Sequence, residues 1–196
     1  TNEFLKVHSS NWALTERGVE QAKRAGQWIR ENFLNTGIGS REFDGLFVSE
    51  FVRTRQTASH MALNAGRWKI NRLIVERDWG LMDSMPHGKR VKKYAEVIAK
   101  RLQAMIFWRP IDGERLIDLE VRIRIFFDTL HREYDGMDVI VVAHGEVIEM
   151  MQCILERMTQ AEFKEYSSDK GREVGNCSIV QYTRMDLVTM QMQPHF

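Results

Sequence analysis

The stretch at residues 138–151, DVIVVAHGEVIEMM, leaves few folds open to this chain. Val139, Ile140, Val141, Val142 and Ala143 form an apolar run that reads as a buried strand. His144 and Gly145 follow with no spacer, and Val147, Ile148, Met151, Ile154 and Leu155 then recur on one helical face. A histidine thus stands where a strand ends and a helix begins. In open α/β sheets, ligands bind at the carboxyl ends of strands. A helix N-terminus also offers free N–H groups and a positive dipole end to an anion. His144 is therefore a candidate for facing a phosphate. Taken by itself, it reads equally as a turn histidine beside a permissive glycine.

The rest of the chain alternates in the same way. Thr15 is placed to cap a helix in which Val19, Ala22, Gly26, Ile29 and Phe33 share a face. Leu46-Phe47-Val48 is a short buried strand, and the residues after Ser49 lead into a second helix reaching about residue 64. A third strand is expected over residues 70–75, delivering Glu76, Arg77, Asp78, Trp79 and Gly80 at its carboxyl end. Residues 81–113 form a cap-like helical excursion. Val91, Tyr94, Ile98, Leu102 and Met105 mark one helix in it, and six basic side chains stand against one glutamate over residues 87–101. That charge is either a solvated face or a cap that draws in an anion.

Over residues 115–134, Leu116, Leu119, Ile123, Phe126, Phe127, Leu130 and Tyr134 form a core-facing stripe. Thr159 and Glu162 fit a capping box. Residues 177–184 and 187–193 read as two strands of an edge hairpin. The pattern is that of a three-layer α/β/α fold with a mainly parallel sheet. A length of 196 residues suits a single domain over residues 1–196.

Composition removes several classes. The net charge of +1 gives no global field for nucleic acid or acidic lipid. No apolar run is long enough to span a bilayer, and nothing resembles a signal peptide. Two cysteines, Cys153 and Cys177, make neither a disulfide framework nor a zinc pattern. A reducing cytoplasm is the default compartment.

Three strand ends carry polar residues that one sheet edge can bring together: Ser49 with Arg53, Glu76 with Arg77, and His144 with Gly145. Together they suit phosphoryl chemistry. Arg53 can fork onto two phosphate oxygens. His144 can stabilise charge developing on equatorial oxygens. Glu76 can protonate a leaving oxygen if its pKa is raised. Separately, Arg53 reads as an ordinary helix arginine and Glu76 as a partner of Arg77.

Six segments in order resemble the histidine phosphatase superfamily, the phosphoglycerate-mutase-like fold. Leu14-Thr15-x-x-Gly18-x-x-Gln21-Ala22 is similar to that family's helix start. Ser49-x-x-x-Arg53-x-x-Gln56-Thr57-Ala58 resembles its second phosphate-binding segment. Glu76-Arg77-Asp78-Trp79-Gly80 resembles the segment carrying the acid, and Pro110-x-x-Gly113-Glu114-x-x-x-Asp118-x-x-x-Arg122 its proline-glycine-glutamate segment. Ala143-His144-Gly145 resembles the second catalytic histidine, and Asn176-Cys177-Ser178-Ile179 the asparagine-led last strands. The match covers about residues 14–184.

The resemblance implies phosphomonoester hydrolysis through a phosphohistidine, with no metal or other cofactor. Glu76 is then the proton donor, and Arg53, His144 and Gly145 bind the phosphoryl group. The implied partners are phosphorylated small molecules or phosphoproteins, with no nucleic acid and no membrane. One departure stands out. The family's nucleophile lies in an arginine-histidine-glycine motif ending the first strand, and this sequence has no such motif. Thr1-Asn2 aligns with the tail of that motif. The implied fold therefore lacks its first strand, the nucleophile falls upstream of residue 1, and Asn2 becomes a phosphate-site residue.

His8 is the one internal alternative for the nucleophile. It lacks the flanking Arg and Gly and lies too close to Leu14 for the family's usual loop. Family phosphoglycerate mutases carry a longer insertion after the acid and an asparagine after the second histidine-glycine, where this chain has Glu146. A phosphatase is therefore preferred. The alternatives are a phosphoglycerate mutase or, if the chain is natural as given, an inactive phosphate-binding or interaction module.

Overall fold

The computed structural model describes residues 8–34, 43–63, 67–83, 85, 87–168, 174–186, 191 and 193. Asn2 lies outside the described residues. Strand β1, Gly45–Val48, is central in a parallel three-stranded sheet of order β2-β1-β3, with β2 at Lys69–Ile70 and β3 at Val139–Val142. Gly45 pairs with Val139 and Val48 with Val142 on one side, while Phe47 pairs with Lys69 on the other. All four β1 residues are buried, as a strand covered on both faces requires.

Layering follows from the two-residue period of β3. Val139 and Val141 pack into a core built on Phe47, Ile74, Leu119, Ile123, Phe126, Val147 and Met150. Ile140 and Val142 pack on the other face, against Ile29, Met61 and Leu63. The first face is covered by α6 (Leu116–Glu133), α7 (Gly145–Leu155) and α8 (Gln160–Ser168). The second is covered by α1 (Glu16–Ile29) and α2 (Val52–Met61). Phe126 meets Phe47 edge-on, with centroids 5.4 Å apart. Leu116, Leu119, Ile123 and Phe126 form the buried stripe of α6, as its periodicity predicts. Among the described residues, no helix is long and apolar enough to cross a membrane.

Local signals explain where elements start. The Thr15 hydroxyl accepts from the Gly18 N–H at 3.1 Å and caps α1. Thr159 and Glu162 form the reciprocal capping box that opens α8. Helices α1 and α2 pack closely at Gly26, where a Cβ would stand 2.1 Å from the Met61 carbonyl oxygen. Arg30 donates to that same carbonyl and to Ala62 O, satisfying the C-terminus of α2. Gly26→Ala gains up to ~1 kcal/mol of helix propensity. The obstructing atom is main chain, so no rotamer relieves it, and overpacking of this kind costs about 1–3 kcal/mol. A net loss of stability is expected, read as a lower urea midpoint at unchanged slope. A raised midpoint would show that the helices are free to separate.

Three expectations need correction. The strand over residues 70–75 ends at Ile70, because the Asn71 side chain accepts from the Leu73 N–H at 2.8 Å and starts a 3₁₀ turn, Arg72–Ile74. The excursion helix is three short ones, α3 (His87–Lys93), α4 (Ala95–Ala99) and α5 (Arg101–Ala104), before a 3₁₀ turn at Met105–Phe107. Lys89, Arg90, Lys92 and Lys93 put like charges on neighbouring turns, and Tyr94 leaves helical geometry at φ −120° and ψ 28°. Residues 177–184 form no regular strand. Asp186 N donates to Gln191 O and Gln193 N to Arg184 O, so a short antiparallel pairing does exist around Met185. Most of residues 187–193 lies outside the described residues.

Candidate active site

The parallel sheet puts the carboxyl ends of β1 and β3 on one edge, and the Arg72–Ile74 turn carries Glu76 to the same place. Ser49 follows β1 and is wholly buried. Its carbonyl accepts from the Thr54 hydroxyl at 3.0 Å, which fixes the first turn of α2. Arg53, in that turn, points back across the sheet edge. One of its amino groups, Nη1, donates to Ser9 O at 2.7 Å and the other, Nη2, to His144 Nδ1 at 3.1 Å. The Phe51 ring supports the Arg53 guanidinium at 4.9 Å and meets the His144 ring edge-on at 4.9 Å.

These contacts assign the His144 tautomer. Arginine is only a donor, so Nδ1 accepts and the proton lies on Nε2. Nε2 stands 2.8 Å from Ser49 Oγ and donates to it. His144 is 6% exposed. Burial, then the charges of Arg53 and Arg122, push its pKa down to about 3. Glu76 Oε2 stands 4.0 Å from His144 Nδ1, but a neutral imidazole makes no ion pair with it.

Glu76 moves the opposite way. Burial, then the charge of Glu146, raise its pKa to about 7 against weaker lowering by the Arg77 N–H, Arg53 and Arg122. The ordinary order of the two groups is inverted: the proton sits on the carboxyl and the imidazole is neutral. Burial also lowers the pKa of Arg53, and its guanidinium remains charged. The cluster thus offers a fixed cation, a neutral histidine and a protonated acid to an incoming anion.

A loop strut supports Glu76. Glu114 takes two bonds from Arg122, at 2.7 and 3.0 Å, and Arg122 reaches the Leu73 carbonyl. The Glu114 N–H donates to Asp78 O at 2.8 Å. Gly80 has φ +54°, and a Cβ there would lie 2.1 Å from Ile111 O, so the two loops meet only through glycine.

A family model described as "Histidine phosphatase superfamily (branch 1)" matches residues 6–186. The chain belongs to this superfamily. Among its curated relatives, the 2,3-bisphosphoglycerate-dependent phosphoglycerate mutase of Methylorubrum extorquens is 26% identical, covering 79% of this chain and 74% of the relative. The alpha-ribazole phosphatase of Shigella flexneri shares the fold at a TM-score of 0.66 and 20% identity, over 81% of this chain and 75% of that one. A mycobacterial glucosyl-3-phosphoglycerate phosphatase does so at 0.67 and 19%, over 81% and 76%.

Arg53, Glu76 and His144, singled out from sequence, converge on one edge of this histidine phosphatase fold. Gly145 opens α7 beside them, and a Cβ there would meet nothing within 4 Å. Their groove, of about 1930 Å³, is also lined by Leu14, Gln21 and the partly buried β3 residues. His8 is exposed; its Nδ1 accepts from Ser10 N and its Nε2 lies 3.6 Å from Asp83. Sequence reasoning assigned no role to Ser49 as the partner of His144, nor to Arg122 as a source of positive field. Ser49 at a strand end was the available signal. Among the described residues, no cluster of three or more His, Cys, Asp or Glu side chains is placed to share a metal ion.

Proposed function

We propose that this chain carries the phosphoryl site of a phosphomonoesterase working through a phosphohistidine. The observation that carries the reading is the inverted pair beside Arg53: Glu76 holds a proton to about pH 7, and His144 is neutral. Arg53 and His144 bind the phosphoryl oxygens, and Gly145 leaves room for them at the start of α7. The nucleophile is a histidine upstream of residue 1. Its imidazole nitrogen bonds to phosphorus as the ester P–O bond breaks, and Glu76 gives its proton to the leaving oxygen. Glu76, now a carboxylate, takes a proton from the water that attacks phosphorus as the P–N bond breaks, which releases phosphate and frees the histidine. The cationic side chains stabilise the phosphoryl oxygens, so the step requires no metal.

A second reading, phosphoglycerate mutase, draws on the curated mutase relatives. One observation favours the phosphatase: Glu146 places a carboxylate near Glu76, which opposes a highly anionic substrate. The natural full-length polypeptide is expected to release phosphate from p-nitrophenyl phosphate in the presence of a chelator. Turnover of phosphoglycerate with no net phosphate release would replace this reading with the mutase.

A further inference from the structure

Glu146 belongs to the first turn of α7, next to His144 and Gly145, yet its carboxylate is already engaged. Oε2 accepts from the Trp79 indole N–H at 2.9 Å. Oε1 accepts from Arg77 Nη1 at 3.3 Å and lies 3.6 Å from Arg101 Nη2. The Arg77 side chain has no solvent exposure. Its other donors reach Glu114 O at 2.9 Å and Trp108 O at 3.3 Å. Its guanidinium lies 5.3 Å from the Trp79 ring and 5.4 Å from the Trp108 ring, and those rings meet edge-on. Arg101 covers the same two rings, and Arg90 covers Trp79 at 5.2 Å. Among the described residues, Arg90 Nε is a buried side-chain polar atom without a hydrogen-bond partner.

This arrangement has the chemistry of a carboxylate receptor. It holds a buried guanidinium, an indole donor and a second guanidinium, all stiffened by aromatic faces. The chain fills it with its own side chain. We propose that Glu146 is a built-in ligand of this receptor and thereby a specificity-determining residue. With Glu146 in place, the neighbouring site accepts phosphomonoesters whose alcohol portion has no acid group close to the phosphate. The substrate part of this inference rests on the phosphoryl-site reading above; the receptor part does not. An acid group reaching Arg77 has to displace a carboxylate that pairs with a buried cation, or else stand against its charge. Either route discriminates by repulsion rather than by new attraction. Arg101 is 43% exposed at its side chain, so its charge is solvated and offsets little of this.

The test uses the natural full-length polypeptide and its tryptophan emission, to which Trp79 and Trp108 of the receptor contribute. Glu146→Ala empties the receptor. Sodium acetate, titrated at constant ionic strength, is then expected to give a saturable change at millimolar concentration, the range of a single charge-assisted carboxylate contact. Wild type is expected to give none. Glu146→Gln keeps the size and removes the charge, so it serves if the alanine variant does not fold. Against wild type, it is expected to shift preference from glycerol 2-phosphate toward 3-phosphoglycerate by about tenfold. Acetate-insensitive Glu146→Ala, or Glu146→Gln with the wild-type preference between the two esters, overturns the proposal. Inorganic phosphate titrated into wild type separates the two ideas. If phosphate fails to bind while acetate still binds Glu146→Ala, the receptor stands and the phosphoryl-site reading falls.

Discussion

His144→Ala in the natural full-length polypeptide is expected to lower p-nitrophenyl phosphate turnover by about 10³-fold, the upper end of the loss for one preorganised donor at a developing anion. The magnitude follows from the position of His144 between two other site groups. Its Nδ1 receives Arg53 Nη2 at 3.1 Å, and its Nε2 holds Ser49 at 2.8 Å. Truncation removes one phosphate contact and also releases Arg53, whose remaining anchor is the Ser9 carbonyl. The free site keeps His144 neutral, with a pKa near 3, because burial and two arginines oppose its charge. A bound phosphoryl dianion reverses the sign of the field at the imidazole. A proton on Nδ1 would then be favoured, and Arg53 Nη2 would turn from Nδ1 to the anion. The loss should appear in kcat as well as kcat/KM, with far-ultraviolet circular dichroism unchanged. Unaltered turnover in a folded His144→Ala protein would remove His144 from the site.

The same geometry shows which parts of the site can be read from sequence. Arg53, Glu76 and His144 were accessible because each stands just beyond an apolar run, and parallel strands bring such ends to one edge. The β3–α7 junction was legible for a related reason: a continuous apolar run stops at His144 and a helical period follows from Gly145. Ser49 was visible only as a strand-end residue. Its bond to His144 spans 95 positions, and no local pattern reports a contact of that range. The Glu146 receptor was equally hidden, since it joins α7, α5 and the loop at Trp79.

The errors in secondary structure have local causes. Asn71 offers its side chain to the backbone and ends β2 early, while apolar Leu73 and Ile74 keep the appearance of a strand. Tyr94 and a run of cations break the excursion, although its apolar spacing is helical. In the first case a polar side chain competes for the backbone; in the second, like charges at i, i+3 and i, i+4 oppose one continuous helix.

Glu76→Gln should separate its effects by leaving group. An alkyl phosphate such as glycerol 2-phosphate expels a strongly basic alkoxide, so losing the proton donor is expected to cost about 10²–10⁴-fold in turnover. p-Nitrophenolate is a weak base and leaves without a proton, so its departure should be little affected. An equal loss with both esters would mean that Glu76 only positions the phosphate. Stability supplies an independent check with a definite sign. Glu76 has a folded pKa of about 7, against 4.5 for an ordinary glutamate carboxyl. Its contribution is therefore fully present below about pH 4.5 and is lost as pH rises through 7, where a buried carboxylate must ionise. Glutamine never ionises. The variant should match wild type in acid and exceed it above pH 7 by about 3 kcal/mol, the free-energy equivalent of the shift. The causes of that shift identify its source. Burial comes first and Glu146 second. Glu146→Gln removes only the smaller cause and also leaves buried Arg77 without its carboxylate, so it should be less stable than wild type at both pH values, with a slightly smaller fall between them. Chemical denaturation of both variants at pH 5 and pH 8 measures this directly. A Glu76→Gln protein no more stable than wild type at pH 8 would mean that Glu76 is already ionised at neutrality and unable to act as the acid.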